Sequence, residues 1–567
     1  MVDTDKEFCS ILLDVITLHG VRDMVCSPGS RNAPLLIAAS ARDSLQCHVV
    51  VDERSAAFMA LGMAIVSRRP VALVCTSGTA LLNYGPAVAE AYYQGVPLIV
   101  ISADRPEQWI DQDDSQTLRQ FEALSNYVKK SYQLPSWGND DPELRWYANR
   151  VANDAMIEST TRRAGPVHIN VRLGEPLGRK MERYGNHPRI IESITSDQVS
   201  DRSLIRRLGE KVACSRVMLV AGFMAPDHRT HAALEGFCRL PNVVAMTETL
   251  SNLKIGEYAT AIDTVLTAYD ESELDEIAPD IVISVGGSLV SRKLKEYLRR
   301  NSTRCEHWSV GWSHTTSDCF MSLGKRIETD VARFFRQLQV SASRSAAHVE
   351  EAGVDTYSGR WREKRVKGVA AKMEYVGRQD WSELAALKIV FDTLPVASNL
   401  FLSNGTVVRY AQILCGRMPH ASYCNRGVSG IDGSISTAIG GAKIYKGMTV
   451  IVTGDMSMAY DVGSLALPGI PDSTRIIVID NQGGGIFRFI PTTSGLSERE
   501  RFFCARPELP LRFLSQGYGW EYEEAESESS LRRALEGFYS GGKKILRIKC
   551  DGEDSANVLK EFMNIKV

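Results

Sequence analysis

An aspartate and an asparagine that each close a strongly apolar run are the residues of this chain best placed to share a cation. The run MTVIVTGD ends at Asp455 and the run RIIVIDN ends at Asn481, 26 residues later. In an open parallel sheet the carboxyl ends of the strands form the ligand crevice, so an acid and an amide delivered there can reach one ion. Mg²⁺ takes hard oxygen ligands in an octahedron and commonly completes it with phosphate oxygens and water. Asp455, Asn481 and the backbone carbonyl of Gly483 are therefore the expected protein ligands for Mg²⁺ or Mn²⁺. Glycines at Gly454, Gly483, Gly484 and Gly485 let the backbone approach a diphosphate, and a helix expected after GDMS would aim N–H groups at it. Taken alone, the pair also fits a helix-capping aspartate and a loop-turning asparagine.

The elements that must carry these residues follow a βαβ rhythm. VALVCTSG at 71–78, a helical stretch through AVAEAYYQ, and PLIVISADRP at 97–106 give strand, helix and strand in a parallel sheet covered on both faces. A first α/β domain is expected over 1–182, ending after PVHINV, with a polar linker NHPRIIESITSDQVSDRS beyond it. A second, over 196–340, opens on VMLVAGF at 217–223 and has its last strand near SVGW at 309–312. A charged connector over 341–378 leads to a third α/β domain over 379–567, which coarsely repeats the architecture of the first. The fold class is α/β, with three doubly wound parallel-sheet domains.

Bulk properties set limits on function. At 567 residues, 44% of them hydrophobic, the chain has material for several cores and is no disordered protein. Its 66 Lys and Arg against 68 Asp and Glu give no global field for nucleic acid or an anionic membrane, so anion binding must be local. The opening MVDTDKEFCS is acidic and polar, without a targeting pattern, and no apolar run is long enough to span a membrane; the expected location is cytoplasmic. Twelve cysteines, none in a CxxC pair, point to reduced thiols rather than a zinc site or a disulfide framework.

The GD…DN spacing resembles the metal and diphosphate motif of the thiamine diphosphate enzyme superfamily, written GDG…NN there, with Met456 in place of its last Gly and Asp480 in place of its first Asn. The resemblance implies thiamine diphosphate held by Ser429, Gly454, Asp455, Met456, Ser457, Asn481 and Gly483. It assigns Glu53, in HVVVDERSAAFMALGMA, to the acid that activates the aminopyrimidine ring, and Ile431, in RGVSGIDGSISTAIGGA, to the aliphatic wedge that bends the cofactor. Read without that pattern, Glu53 is a first-turn helix dipole partner and Ile431 an ordinary core residue. The superfamily pairs its acid-bearing and diphosphate-bearing domains across subunits, which implies a homodimer or homotetramer with active sites between subunits.

Longer strings narrow the resemblance. SPGSRNAPL at 27–35, TSGTA at 76–80, ISADRPEQWIDQDDSQTLRQ at 101–120 and NRGVSGIDGSISTAIG at 425–440 are similar to the menaquinone-pathway synthases that join 2-oxoglutarate to isochorismate. Both substrates are dianions, and arginine suits bidentate carboxylate recognition. By resemblance Ser30, Arg31, Arg105, Gln116, Arg409 and Arg426 line the substrate pocket, with Arg292 and Lys293 reaching in from the central domain. The family often has Ser where Gly405 stands, beside the hydroxyl of Thr406, and SRK at 291–293 reverses its usual Lys-Arg order. The implied reaction decarboxylates 2-oxoglutarate and adds the succinyl carbanion equivalent to isochorismate in conjugate fashion. No two histidines are adjacent, unlike the His-His pair of simple 2-oxo-acid decarboxylases. An acetolactate synthase-like or decarboxylase activity, and a catalytically silent ligand-binding relative, are the rival readings.

Overall fold

The computed structural model describes residues 2–134, 136, 141–182, 188–194, 201–255, 261–346, 356–414 and 419–567. Residues 347–355 of the expected connector, and 186–187 and 195–200 of the expected linker, lie outside the described residues.

Three parallel sheets carry the chain. The first uses Asp23–Cys26, Gln46–Val49, Val71–Cys75, Leu98–Asp104, Ser131–Leu134 and Val167–Arg172; counted in chain order its strands lie 2-1-3-4-6-5. The third uses Ser398–Leu402, Ala421–Tyr423, Met448–Gly454, Thr474–Asp480, Glu521–Ala525 and Lys544–Lys549, and has the same order, 2-1-3-4-6-5. Between them in sequence, a five-stranded sheet of Val217–Ala221, Val243–Thr247, Ile281–Val285, Glu306–Val310 and Leu323–Ile327 has the order 2-1-3-4-5. In each, the order reverses beside the first strand, which opens a crevice at the carboxyl ends of strands 1 and 3. Leu323–Ile327 extends the central sheet past the last strand expected near SVGW; its sequence LGKRI carries two cations on an edge strand and hides the alternation.

The sheets are covered on both faces because their strands send alternate residues into different cores. Met24, Cys26, Ala72, Val74, Ile99 and Ile101 enter one core, and Val25, Leu73, Cys75, Leu98 and Val100 enter another. The second of these also receives Phe401, Ile451, Ile476 and Val478 from the third sheet, so the first and third domains share one hydrophobic core. Two helices fill it, Glu53–Ser67 and Ser434–Ile444. The contacts Phe58 with Gly433, Gly62 with Thr437 and Val66 with Gly441 advance together, so the two helices run side by side in the same sense. Their backbones approach closely because two residues lack side chains. A Cβ on Gly62 would lie 1.8 Å from the Thr437 carbonyl oxygen, and one on Gly440 would lie 2.0 Å from that of Met59. This pair fixes the helix that begins at Glu53 against the helix that follows Ile431.

The central domain turns its strand ends toward the third. Asn252 exchanges hydrogen bonds with the backbone of Ser422 at 2.7 and 3.0 Å, Thr249 N–H donates to Gln412 Oε1 at 2.9 Å, and Ser288 Oγ donates to the Arg426 carbonyl at 2.9 Å. No described helix is long and apolar enough to cross a membrane.

Candidate active site

Strands Met448–Gly454 and Thr474–Asp480 are hydrogen-bonded neighbours, which brings Asp455 and Asn481 to one sheet edge. Asp455 is buried and opens the helix Asp455–Tyr460, so that helix starts within GDMS rather than after it. Its Oδ2 accepts the Gly483 N–H at 2.7 Å and its Oδ1 the Met456 N–H at 2.7 Å. Burial raises its pKa, the Gly483 hydrogen bond opposes this, and the neighbouring Asp480 carboxylate raises it again. A site holding this much negative potential out of water calls for a cation.

Asn481 shows where the cation would sit. Its Nδ2 donates to Glu383 Oε1 at 2.6 Å, while its Oδ1 is buried with no hydrogen-bond partner. An orphaned buried amide oxygen beside a buried carboxylate is a hard-oxygen donor set awaiting a metal ion. Gly483 completes the turn at φ 116°, and a Cβ there would lie 2.2 Å from the Cys504 carbonyl oxygen. Only glycine fits. At Gly454 a Cβ would meet no protein atom within 4 Å, so the strand end faces open space. The residues present thus fit both a divalent ion and an approaching diphosphate. At the two departures from the superfamily pattern, Met456 gives its N–H to Asp455 Oδ1, and Asp480 lies beside Asp455 and accepts from Arg547 Nε at 2.8 Å.

Ser457 is buried beside Asp455. Ser429 takes φ 68° in a loop fastened by the first domain: Glu90 accepts the Gly427 and Val428 N–H groups, each at 2.6 Å. Two residues on, Ile431 is half-buried before the helix Ser434–Ile444. Glu53 begins its own helix after the N-cap Asp52 and is half-buried, and among the described residues no hydrogen bond or ion pair engages its carboxylate.

The anion-binding candidates form two groups. At the carboxyl edge of the first sheet, Arg31 is buried, donates to the Leu173 carbonyl at 2.9 Å and pairs with Glu175 at 3.3 Å. Burial and the adjacent Arg105 push its pKa down. Arg105 pairs with Asp114 at 2.7 Å, Gln116 donates to the Ser77 carbonyl at 3.1 Å, and Ser30 is exposed at the rim. On the third domain, Arg426 donates to Asn404 Oδ1 at 2.9 Å and leaves its Nε buried without a partner. Burial and then Arg426 depress Arg409. Two central-domain acids face this group. Glu248 accepts the Val290 and Ser291 N–H groups at 2.8 and 2.7 Å and is raised by burial to about 7, and Asp263 bonds Ser291. Arg292 and Lys293 lie on the first turn of Arg292–Arg300, mostly exposed and paired with Glu296 at 2.7 and 3.4 Å. Among the described residues, no hydrogen bond or ion pair joins the first-domain group to the third-domain group.

Sequence reasoning missed Glu90, Glu383 and Arg488. Buried Arg488 donates to the carbonyls of Asn481 and Gln482 at 2.9 and 3.1 Å and pairs with Glu500 at 2.8 Å, which pins the cation loop from behind. Thr406, whose hydroxyl neighbours the missing Ser position, donates to Glu383 Oε2 at 3.2 Å and so serves that acid.

Residues 7–123, which hold Glu53 and the first four strands of the first sheet, match the family described as Thiamine pyrophosphate enzyme, N-terminal TPP binding domain. With the cation edge of the third sheet, this places the chain in the class of thiamine diphosphate-dependent enzymes that use a divalent metal. Relatives along the whole length narrow the class. A 2-succinyl-5-enolpyruvyl-6-hydroxy-3-cyclohexene-1-carboxylate synthase of Porphyromonas gingivalis is 38% identical over 567 residues, covering 99% of this chain and 97% of its own. Synthases of the same name from Cytophaga hutchinsonii and Bacteroides fragilis are 36% and 34% identical, covering 97% and 99% of this chain and the same shares of their own. The chain belongs to this synthase family.

Proposed function

We propose that the chain decarboxylates 2-oxoglutarate and adds the resulting succinyl carbanion equivalent to isochorismate, giving 2-succinyl-5-enolpyruvyl-6-hydroxy-3-cyclohexene-1-carboxylate and CO₂ in menaquinone biosynthesis. The observation that carries the chemistry is the orphaned Oδ1 of Asn481 on the sheet edge that also carries Asp455, a donor set for the divalent ion that anchors a diphosphate. When bound, thiamine diphosphate supplies the carbon nucleophile and the electron sink that a side chain cannot. Asp455, Asn481 and the Gly483 carbonyl hold the ion, and Ile431 shapes the cofactor from the loop that Glu90 fastens. Glu53 would exchange a proton with the pyrimidine ring of the bound cofactor; its carboxylate has no competing partner among the described residues. The paired arginines, Arg31 with Arg105 and Arg409 with Arg426, take substrate carboxylates, with Ser30 and Gln116 at the first pair and Arg292 and Lys293 at the rim of the second.

The absence, among the described residues, of any hydrogen bond or ion pair joining the first-domain arginines to those of the third domain, and the unengaged Glu53, support an active site assembled between two copies in a homodimer or homotetramer. The boundaries 1–182, 196–340 and 379–567 remain our division of the chain into domains.

The test is CO₂ release from 2-oxoglutarate with thiamine diphosphate and Mg²⁺, with and without isochorismate, for the wild type and Glu53→Gln. We expect isochorismate to stimulate turnover while its absorbance falls in step, and the variant to be nearly inactive. Consumption of pyruvate with isochorismate ignored would replace this reaction with an acetolactate synthase-like one.

A further inference from the structure

Asn481 can present either face of its amide to the cation, and only the oxygen face coordinates. The choice is made behind it. Glu383 opens the helix Glu383–Thr393 as a fully buried carboxylate, its backbone N–H donating to Ser555 Oγ at 3.1 Å. Its contact with Asn481 at 2.6 Å is made by the Nδ2 group, with Oε1 as the acceptor. That turns Oδ1 to the opposite side, where it is buried without a partner. Thr406 donates to the other carboxylate oxygen at 3.2 Å and fixes the plane of the Glu383 carboxyl group. The arrangement is sterically closed as well, since a Cβ on Gly485 would lie 2.2 Å from Asn481 Nδ2 and 3.4 Å from Glu383 Oε1.

Among the described residues no cation forms an ion pair with Glu383. A carboxylate buried at such cost and aimed at the back of a ligand has the arrangement by which partners behind metal ligands orient them. We propose that Glu383 is a positioning residue of the cation site, which selects the coordinating face of Asn481, and that Thr406 supports it. This rests on the reading of Asp455, Asn481 and Gly483 as the cation's ligands.

The test uses Mn²⁺ as the probe, counted by electron paramagnetic resonance in full-length protein with saturating thiamine diphosphate. Glu383→Leu removes the acceptor. It should raise the Mn²⁺ dissociation constant about ten- to a hundredfold. Glu383→Gln keeps an oxygen for Asn481 Nδ2 and an amide group for the Thr406 oxygen, and should hold the constant within about threefold of wild type. Unfolding of the metal-free proteins is followed in parallel. A folded Leu variant that binds Mn²⁺ as tightly as wild type overturns the proposal. So does a Gln variant as weak as the Leu variant when both also lose metal-free stability, because Glu383 then serves the fold. Asp455→Ala tests the underlying reading separately: if it still binds Mn²⁺ with wild-type affinity, the ligand assignment fails whatever Glu383 does.

Discussion

Replacing Glu90 by Gln should weaken thiamine diphosphate binding from a position on another domain. The Glu90 carboxylate is buried and accepts three hydrogen bonds of 2.6 Å, from Gly427 N–H, Val428 N–H and Gln94 Nε2. Two of them hold the loop that contains Ser429 and leads to Ile431. A glutamine retains one acceptor oxygen and turns its NH₂ group against the other backbone N–H. One charge-assisted bond, worth about 1.5–3 kcal/mol, is lost, and one buried donor is left unpaired at about 1–3 kcal/mol. Burial raises the Glu90 pKa, so the wild type also bears a desolvation cost that the amide escapes, which offsets part of the loss. A net figure of about 2 kcal/mol remains, equivalent to roughly a thirtyfold shift in an equilibrium constant. If the loop absorbs this locally, the cofactor concentration for half-maximal rate rises by about that factor while kcat at saturating cofactor changes less than about threefold. Gln94→Ala, which removes only the third donor, should shift it by a few-fold at most. A Glu90→Gln enzyme whose cofactor half-saturation stays within twofold of wild type would refute the reasoning that this contact fastens the cofactor loop.

Two further outcomes follow from the geometry. Arg488→Met strips the buried Asn481 carbonyl and the part-buried Gln482 carbonyl of their donor, a loss of roughly 2 kcal/mol, and should raise the Mg²⁺ concentration for half-maximal rate about thirtyfold; Arg488→Lys, lacking the planar fork, should fall between. A Mg²⁺ half-saturation within threefold of wild type in the Met variant would show that the loop holds itself. His168 is fully buried, with Nε2 against Ser102 Oγ at 2.8 Å and Nδ1 without a partner, and burial lowers its pKa from 6.5 to about 4. The unfolded chain therefore binds the extra proton first, and stability is fully present above pH 6.5 and declines as pH falls toward 4, by on the order of 3 kcal/mol. In His168→Gln this part of the acid sensitivity should vanish from unfolding measured between pH 7 and 4.5, whatever the variant's stability at neutral pH; an unchanged slope would mean that the imidazole is not the responsible group.

Legibility in the sequence followed periodicity. Asp455 and Asn481 could be found because MTVIVTG and TRIIVID are unbroken apolar strands whose ends are obvious, and their pairing brings those ends together. Three of the edge strands were illegible for the opposite reason: SYQL, LGKRI and EYEEA are short and mix polar with apolar residues. Glu90, Glu383 and Arg488 stayed hidden because an acid or a cation in a helix ordinarily faces water, and their partners lie in other elements, for Glu90 more than three hundred residues away. A faint signal did exist. Glu90 sits between apolar residues in AVAEAYY, and Glu383 opens the apolar run LAALKIVF; an isolated acid on an otherwise buried helix needs a hydrogen-bond donor. Nothing in the linear pattern indicated that the donor would be a loop of another domain or the amide of Asn481.

The close glycine contact between the helices Glu53–Ser67 and Ser434–Ile444 also sets the order of events during synthesis. Every residue from Ser55 to Ala64 is buried in the finished protein, and one side of that burial is supplied by the later helix. At about 5–20 residues per second, Ser434 leaves the ribosome roughly 20–70 s after Ser67. Throughout that interval the nascent first domain exposes an apolar face that includes Phe58, Met59, Gly62 and Val66, with no charge among them to discourage self-association. Truncation before the third domain would make that exposure permanent, so a first domain expressed alone should aggregate even though its own sheet is complete.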